Sequence, residues 1–246
     1  MSYMRKAFNF LTRGNKTGTL NEVPRQRWVE ATLKSLPAGL RILDAGAGEQ
    51  QYKKFCTHLS YVSQDFAEYD GVGDNVGLHT GKWDNSNLDI IGDITCIPEP
   101  DASFDVILCT EVFEHLPNPV LAIQEFSRLL KSGGQLIITA PFCSLTHFAP
   151  YHYATGFSRY YYEKHFSDNG LKTLCMEANG NYFEYIAQEV RRIEDVAILY
   201  SKKQHPNLLQ RIAIFMVLGM LKKMSQSDSG SRELLHFGYH VRAVKI

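Results

Sequence analysis

The 246-residue chain lacks an excess of charge of either sign: 26 Lys and Arg face 26 Asp and Glu, a formal net charge of zero. That excludes the strongly basic field of a nucleic-acid binder, and no acidic tail is present. Short basic runs such as RRIED and LKKM read as solvated helix faces. Paired cysteines are lacking too. Cys56, Cys96, Cys109, Cys143 and Cys175 make an odd number with no CxxC spacing. Most sit in apolar runs, where a reduced thiol acts as a small hydrophobe. This argues against a disulfide framework and a thiolate zinc site, and points to a reducing, cytoplasmic compartment. No long hydrophobic run occurs. The longest, Ile212 to Leu221, is about half the length that crosses a bilayer. It is expected as a buried helix rather than as a peripheral membrane contact. The first residues, MSYMRKAFNFLTRGNK, show no apolar h-region, so no signal peptide is expected.

With 44% apolar and 21% charged residues, a packed α/β core is expected. RQRWVEATLKSL has helical spacing and ends at PAG. RILDAG reads as a strand, GEQQYKKFC as the start of a helix, and YVSQDF as a second strand. Residues 67–87, rich in Gly, Asp and Asn, should be loop. LDIIGDIT holds a short third strand. SFDVILCT is an apolar run suited to a strand buried on both faces. NPVLAIQEFSRLLKSGG is an amphipathic helix closed by its glycines, with Val120, Leu121, Ile123, Phe126, Leu129 and Leu130 on one side, and QLIITAPF is a fifth strand. Further on, a helix ending at Asn169-Gly170, a strand LKTLCMEA, helices from Asn181 and from about Leu208 to Met224, and a last strand FGYHVRAVKI are expected. In the helix from Asn181, Phe183, Ile186, Ala187, Val190, Ile193 and Ala197 share one face. Alternating strand and helix specify a parallel sheet covered on both faces.

Ligands of such sheets bind beyond the carboxyl ends of the strands. Three of those ends carry a carboxylate. Asp44 precedes AGAGE, in which Gly46 and Gly48 allow a sharp bend and close approach to a ligand. Asp65 closes the second strand and can accept hydrogen bonds from both hydroxyls of a ribose. Asp93, in GDIT, can accept from an exocyclic amine such as that of adenine. The third glycine of a dinucleotide fingerprint is missing, with Gln51 in its place, and no GKS or GKT of a phosphate loop follows. The bend suits a nucleoside ligand without a phosphate.

LDAGAG, SQD, GDIT.IP, FDVILCTEVFEHLPNP and LLKSGGQLIITAPF, in this order, resemble the class I S-adenosylmethionine-dependent methyltransferases, nearest to the branch called methyltransferase type 11. The resemblance is dense over residues 40–142. It implies a Rossmann-like methyltransferase fold: a doubly wound, seven-stranded, mostly parallel sheet, its last strand antiparallel beside strand six, with a helical insertion before it. It also implies S-adenosyl-L-methionine as cofactor. Asp44, Gly46 and Gly48 would hold its methionine end, with Ala45 and Ala47 lining the bend. Asp65 would take the ribose, Phe66 would lie beside the adenine, Asp93 and Ile94 would flank the ring, and Thr110 and Glu111 would close the pocket near the sulfonium. Many relatives have Cys or Ser at position 47 and Thr-Gly at 49–50, where this chain has Ala47, Glu49 and Gln50.

The expected organisation is a single domain over 1–246, with an extension at 1–24, partly mobile, a substrate-side lid at 143–168 and a helical insertion at 181–230. The expected activity is methyl transfer to a small molecule, of sugar, lipid-linked or quinone-like type. A nicotinamide oxidoreductase and a non-catalytic binder of the cofactor remain the alternatives. His147, His152 and Tyr153, in the aromatic segment after the fifth strand, are the candidates for catalysis, against a lid merely packed by rings. Glu114 and His115 look like an acid–base pair, but in the resembling family this stretch positions a helix beside the cofactor. No metal site is expected: the spacing of His147 and His152 would allow one, yet no carboxylate or cysteine completes it. No sequence feature gives the oligomeric state.

Overall fold

The computed structural model describes residues 15–74, 77–78, 81, 83–202 and 204–246. Seven strands, β1 (Arg41–Ala45), β2 (Ser60–Asp65), β3 (Ile90–Ile91), β4 (Phe104–Thr110), β5 (Leu130–Pro141), β6 (Leu171–Asn179) and β7 (Gly238–Lys245), form one sheet in the order β3-β2-β1-β4-β5-β7-β6. The pairs β1–β2, β1–β4, β2–β3 and β4–β5 are parallel, while β7 runs antiparallel to β5. This is the expected doubly wound sheet, and its order reverses direction between β1 and β4. Helices are α1 (Glu22–Lys34), α2 (Pro119–Leu129), α3 (Arg159–Asp168), α4 (Tyr182–Tyr200) and α5 (Leu208–Gln226).

The described residues form two units, one of Arg25–Glu177 with Gly238–Ile246, the other of residues up to Pro24 with Ala178–Phe237. The first holds most of the sheet. β4 lies at its centre, with Phe104, Val106, Ile107, Leu108 and Cys109 all without solvent exposure, as its unbroken apolar run requires. Val29 and Leu33 of α1 pack with Ile42, Val106, Leu108 and Ile137. α2 buries Ala122, Ile123, Phe126 and Leu129; Leu121, expected on that face, points outward.

Two boundaries depart from the sequence reading. α2 ends at Leu129, before its glycines. Leu130 already pairs with Phe104, and the ladder resumes at Val106 and Gln135, so Lys131–Gly134 is a bulge within β5 rather than a helix cap. No α-helix follows β1 either. Gly46, Gly48 and Gln50 all have positive φ, and from Ala47 to Cys56 the chain winds through three-residue turns with one 3-10 turn at Lys53–Phe55. Left-handed residues at its start deny a helix its first turn, and Ser60 already begins β2.

In the second unit, Ala187, Leu218 and Leu221 form a small core with Phe183, Ile186, Val190 and Ile214. The expectation of a buried helix at 212–221 is corrected here. Ile212, Phe215, Met216, Val217 and Met220 are exposed, because α4 covers only one stripe of a helix that is apolar on several sides. Ile193 of α4, expected inside, is also exposed. Asn207 and Gln210 form a reciprocal capping box at the start of α5. No helix among the described residues is long and apolar enough to cross a membrane. Residues 1–14 of the expected extension lie outside the described residues, but those that follow are fastened: the Gly18 amide donates to Glu184 at 2.7 Å, and Arg191 donates to the Thr17 carbonyl at 2.7 Å.

Candidate active site

The bend after β1 is built on two positive-φ glycines. The amides of Gly46 and Ala47 both donate to the Gln64 carbonyl at 2.9 Å, which ties the bend to β2. A side chain on Gly46 would strike Val112, and one on Gly48 would come within 2.6 Å of the Trp83 ring. Gln50, where the resembling family has glycine, holds φ at 57°, the conformation that glycine adopts freely. Ala45 and Ala47 are buried on either side of Gly46.

Asp44 is almost fully buried. One carboxylate oxygen accepts from the Tyr61 hydroxyl at 2.6 Å, while Oδ1 has no partner among the described residues. Burial pushes its carboxyl up to about 7; the Tyr61 hydrogen bond opposes the shift and the charge of Asp65 adds to it. Asp65 ends the adjoining strand. Its two oxygens accept from the Gly48 amide at 2.9 Å and the Ala67 amide at 3.0 Å, so it already braces the glycine bend. Each oxygen keeps a further lone pair. Phe66 meets Tyr151 edge-on at 5.0 Å. Asp93 is exposed and accepts from the amide and hydroxyl of Thr95, both at 2.8 Å, while Ile94 is buried. Asp44 and Asp65 are thus close neighbours, whereas Asp93 closes its own turn at the surface.

At the end of β4, Thr110 is buried and Glu111 adopts a left-handed φ of 53°, its amide donating to Thr139 at 2.7 Å. A left-handed glutamate is uncommon and marks a site where the backbone is held for a purpose. Arg25 of α1 donates to its carboxylate at 2.8 Å. Arg25, Tyr61 and Trp83 escaped the sequence reading. Only the sheet order brings them to the bend, and no local pattern marks them.

The segment after β5 lies over the loop after β2. Phe148 stacks on Tyr69 at 3.5 Å and meets Trp83 at 5.3 Å. The Leu78 amide donates to the Thr146 carbonyl, and the Phe148 amide to that of Leu78. His147 and His152 stand together here with His115 from the turn after β4, one ring nitrogen of each within 4.8 Å of the others. Tyr153 is half exposed and turned away from burial, its amide held by the Glu114 carbonyl. Glu114 is fully buried, which raises its carboxyl; the nearby His147 opposes that shift. Burial together with His147 pushes His115 down to about 3. For His147 burial works downward, but Glu114 outweighs it and the net shift is upward.

Residues 43–138 match the family described as "Methyltransferase domain". The chain is 32% identical over 123 residues to a ubiquinone biosynthesis O-methyltransferase of Xanthomonas axonopodis pv. citri, covering 49% of each. It is 29% identical over 118 residues to the protein of that name from Leptothrix cholodnii, covering 47% of this chain and 49% of the other. The chain thus spans about half the length of the curated relatives it matches. Among solved structures, the [4+2]-cyclase SpnF superposes with a TM-score of 0.54 at 16% identity, over 90% of this chain and 80% of that one. The geranyl diphosphate C-methyltransferase of Streptomyces coelicolor A3(2) does so at 0.51 and 11%, over 92% and 79%. At such identities the likeness is one of fold. The strand order and the glycine bend between β1 and β2 agree with the family match: over residues 43–138 the chain is similar to methyltransferase domains.

Proposed function

We propose that this protein moves a methyl group from S-adenosylmethionine to an oxygen of a small, quinone-like acceptor. The observation that carries the reading is the buried, unpartnered Oδ1 of Asp44 beside a positive-φ glycine bend, at the point where the sheet order reverses. Such an oxygen is costly unless a donor arrives, and the ammonium of the cofactor's methionine end is one. Bound there, the cofactor supplies an already activated methyl group on its sulfonium. Asp65 adds acceptor capacity for the ribose, Phe66 and Ile94 supply apolar surface for the adenine, and Asp93, on the turn after β3, would accept from its amine. Glu111, held by Arg25, and Thr110 close the bend from the β4 side. Residues 143–168 serve as a lid on the acceptor side; their aromatic packing excludes water, so that alignment rather than further activation sets the rate. His147, His152 and Tyr153 belong to this acceptor side. The names of the partial relatives favour a hydroxyl on a quinone-type ring, and five free cysteines fit a reducing, cytoplasmic setting.

Calorimetric titration with S-adenosylmethionine and with NAD tests the cofactor, and mass spectrometry of a panel of hydroxylated quinone-like compounds tests the transfer. Binding of the first cofactor and methylation of a panel member are expected. Binding of NAD alone would overturn the assignment.

A further inference from the structure

Nε2 of His115, Nε2 of His147 and Oε1 of Glu114 meet in one place. His115 Nδ1 lies 2.6 Å from the Tyr151 carbonyl and His147 Nδ1 lies 2.8 Å from that of Leu145. A carbonyl cannot donate, so both Nδ1 atoms carry a proton, and in the neutral form of each ring Nε2 presents a lone pair. Each Nε2 is 3.7 Å from the same oxygen, Oε1 of Glu114, too far for a hydrogen bond. Both carboxylate oxygens of Glu114 and both ring nitrogens of His152 are buried without a hydrogen-bond partner among the described residues. A buried carboxylate and a buried imidazole left bare are costly, and a cation satisfies both.

We propose that His115, His147, His152 and Glu114 bind one zinc-class divalent cation. Neutral imidazoles whose second nitrogen is tied to a backbone carbonyl are the usual ligands of such ions, and imidazole with carboxylate suits zinc. In a tetrahedral site with bonds of about 2.0–2.1 Å, ligand atoms stand roughly 3.3–3.4 Å apart. The 3.7 Å separations from Glu114 need slight closure, and the imidazole nitrogens, which lie within 4.8 Å of one another, must draw in further. Four protein ligands make a closed, structural site. It clasps the segment after β5 onto the turn after β4, and it assigns the imidazoles to holding the lid rather than to moving protons.

The test uses the untagged full chain, stripped with chelator and titrated with zinc by calorimetry and with cobalt by visible absorption. One equivalent of zinc, cobalt bands of four-coordinate intensity and a melting temperature that rises with zinc are expected. His152→Ala, which removes no hydrogen bond, should stay folded and lose affinity on the order of 10–100-fold or more; His165→Ala, on α3, should bind as the parent does. Less than one equivalent bound, or equal affinity in the His152 and His165 variants, overturns the proposal.

Discussion

Asp44 and Asp65 stand on neighbouring strands with different burdens. Asp65 uses one oxygen to hold the Gly48 amide of the bend and the other to hold the Ala67 amide of its own loop, so replacing it removes a ligand acceptor and a brace together. Asp65→Ala should weaken binding of S-adenosylmethionine by about 1.5–3 kcal/mol, the worth of one charge-assisted hydrogen bond; calorimetry reads it, and unchanged affinity would place the ribose elsewhere. Asp44 carries an electrostatic cost. Its folded pKa is raised, so the folded state holds a proton that the unfolded chain has released. Stability therefore falls as pH rises from about 4 to about 7. Tyr61, Tyr52, Cys56, Cys109 and Asp65 are the titratable groups coupled to it. Asp44→Asn should flatten that slope in chemical denaturation while abolishing cofactor binding, a trade of function against stability. A variant with the parent's slope would show that the buried charge costs nothing.

At the level of elements, burial sets the energies. Leu33 of α1 is wholly buried in a cluster with residues of β1, β4 and β5. Leu33→Ala should cost about 2–5 kcal/mol, whereas Ile193→Ser on the exposed side of α4 should stay within about 0.5 kcal/mol; urea midpoints measured at constant slope check both. The same physics explains what the sequence revealed. SFDVILCT, NPVLAIQEF and NYFEYIAQEV announce their elements because apolar spacing matches their burial. GEQQYKKFC carries helical residues, but three left-handed residues override local propensity, and nothing in its spacing signals that Gln50 is one of them. The carboxylates at strand ends were legible because the fold puts them there. Arg25, Tyr61 and Trp83 were not, since their meeting at the bend depends on strand order and loop path. His115 was seen only as half of a pair with Glu114, because its approach to His147 and His152 spans the turn after β4 and the segment after β5.

Across the whole molecule, equal numbers of acidic and basic residues and a sequence pI near 7.1 leave little repulsion between copies at neutral pH. Light scattering should show interparticle attraction greatest near pH 7 and falling on either side. A maximum of attraction displaced well away from neutrality would mean that the folded chain has shifted the titration of many groups. Trp83 covers the bare face of Gly48, and the strip joining Leu78 to Thr146 and Phe148 runs beside it. A ligand that seats against that glycine is expected to need the indole to swing aside, which would gate its arrival. In stopped flow the observed rate should climb with concentration and then level off at the frequency with which this doorway unlatches.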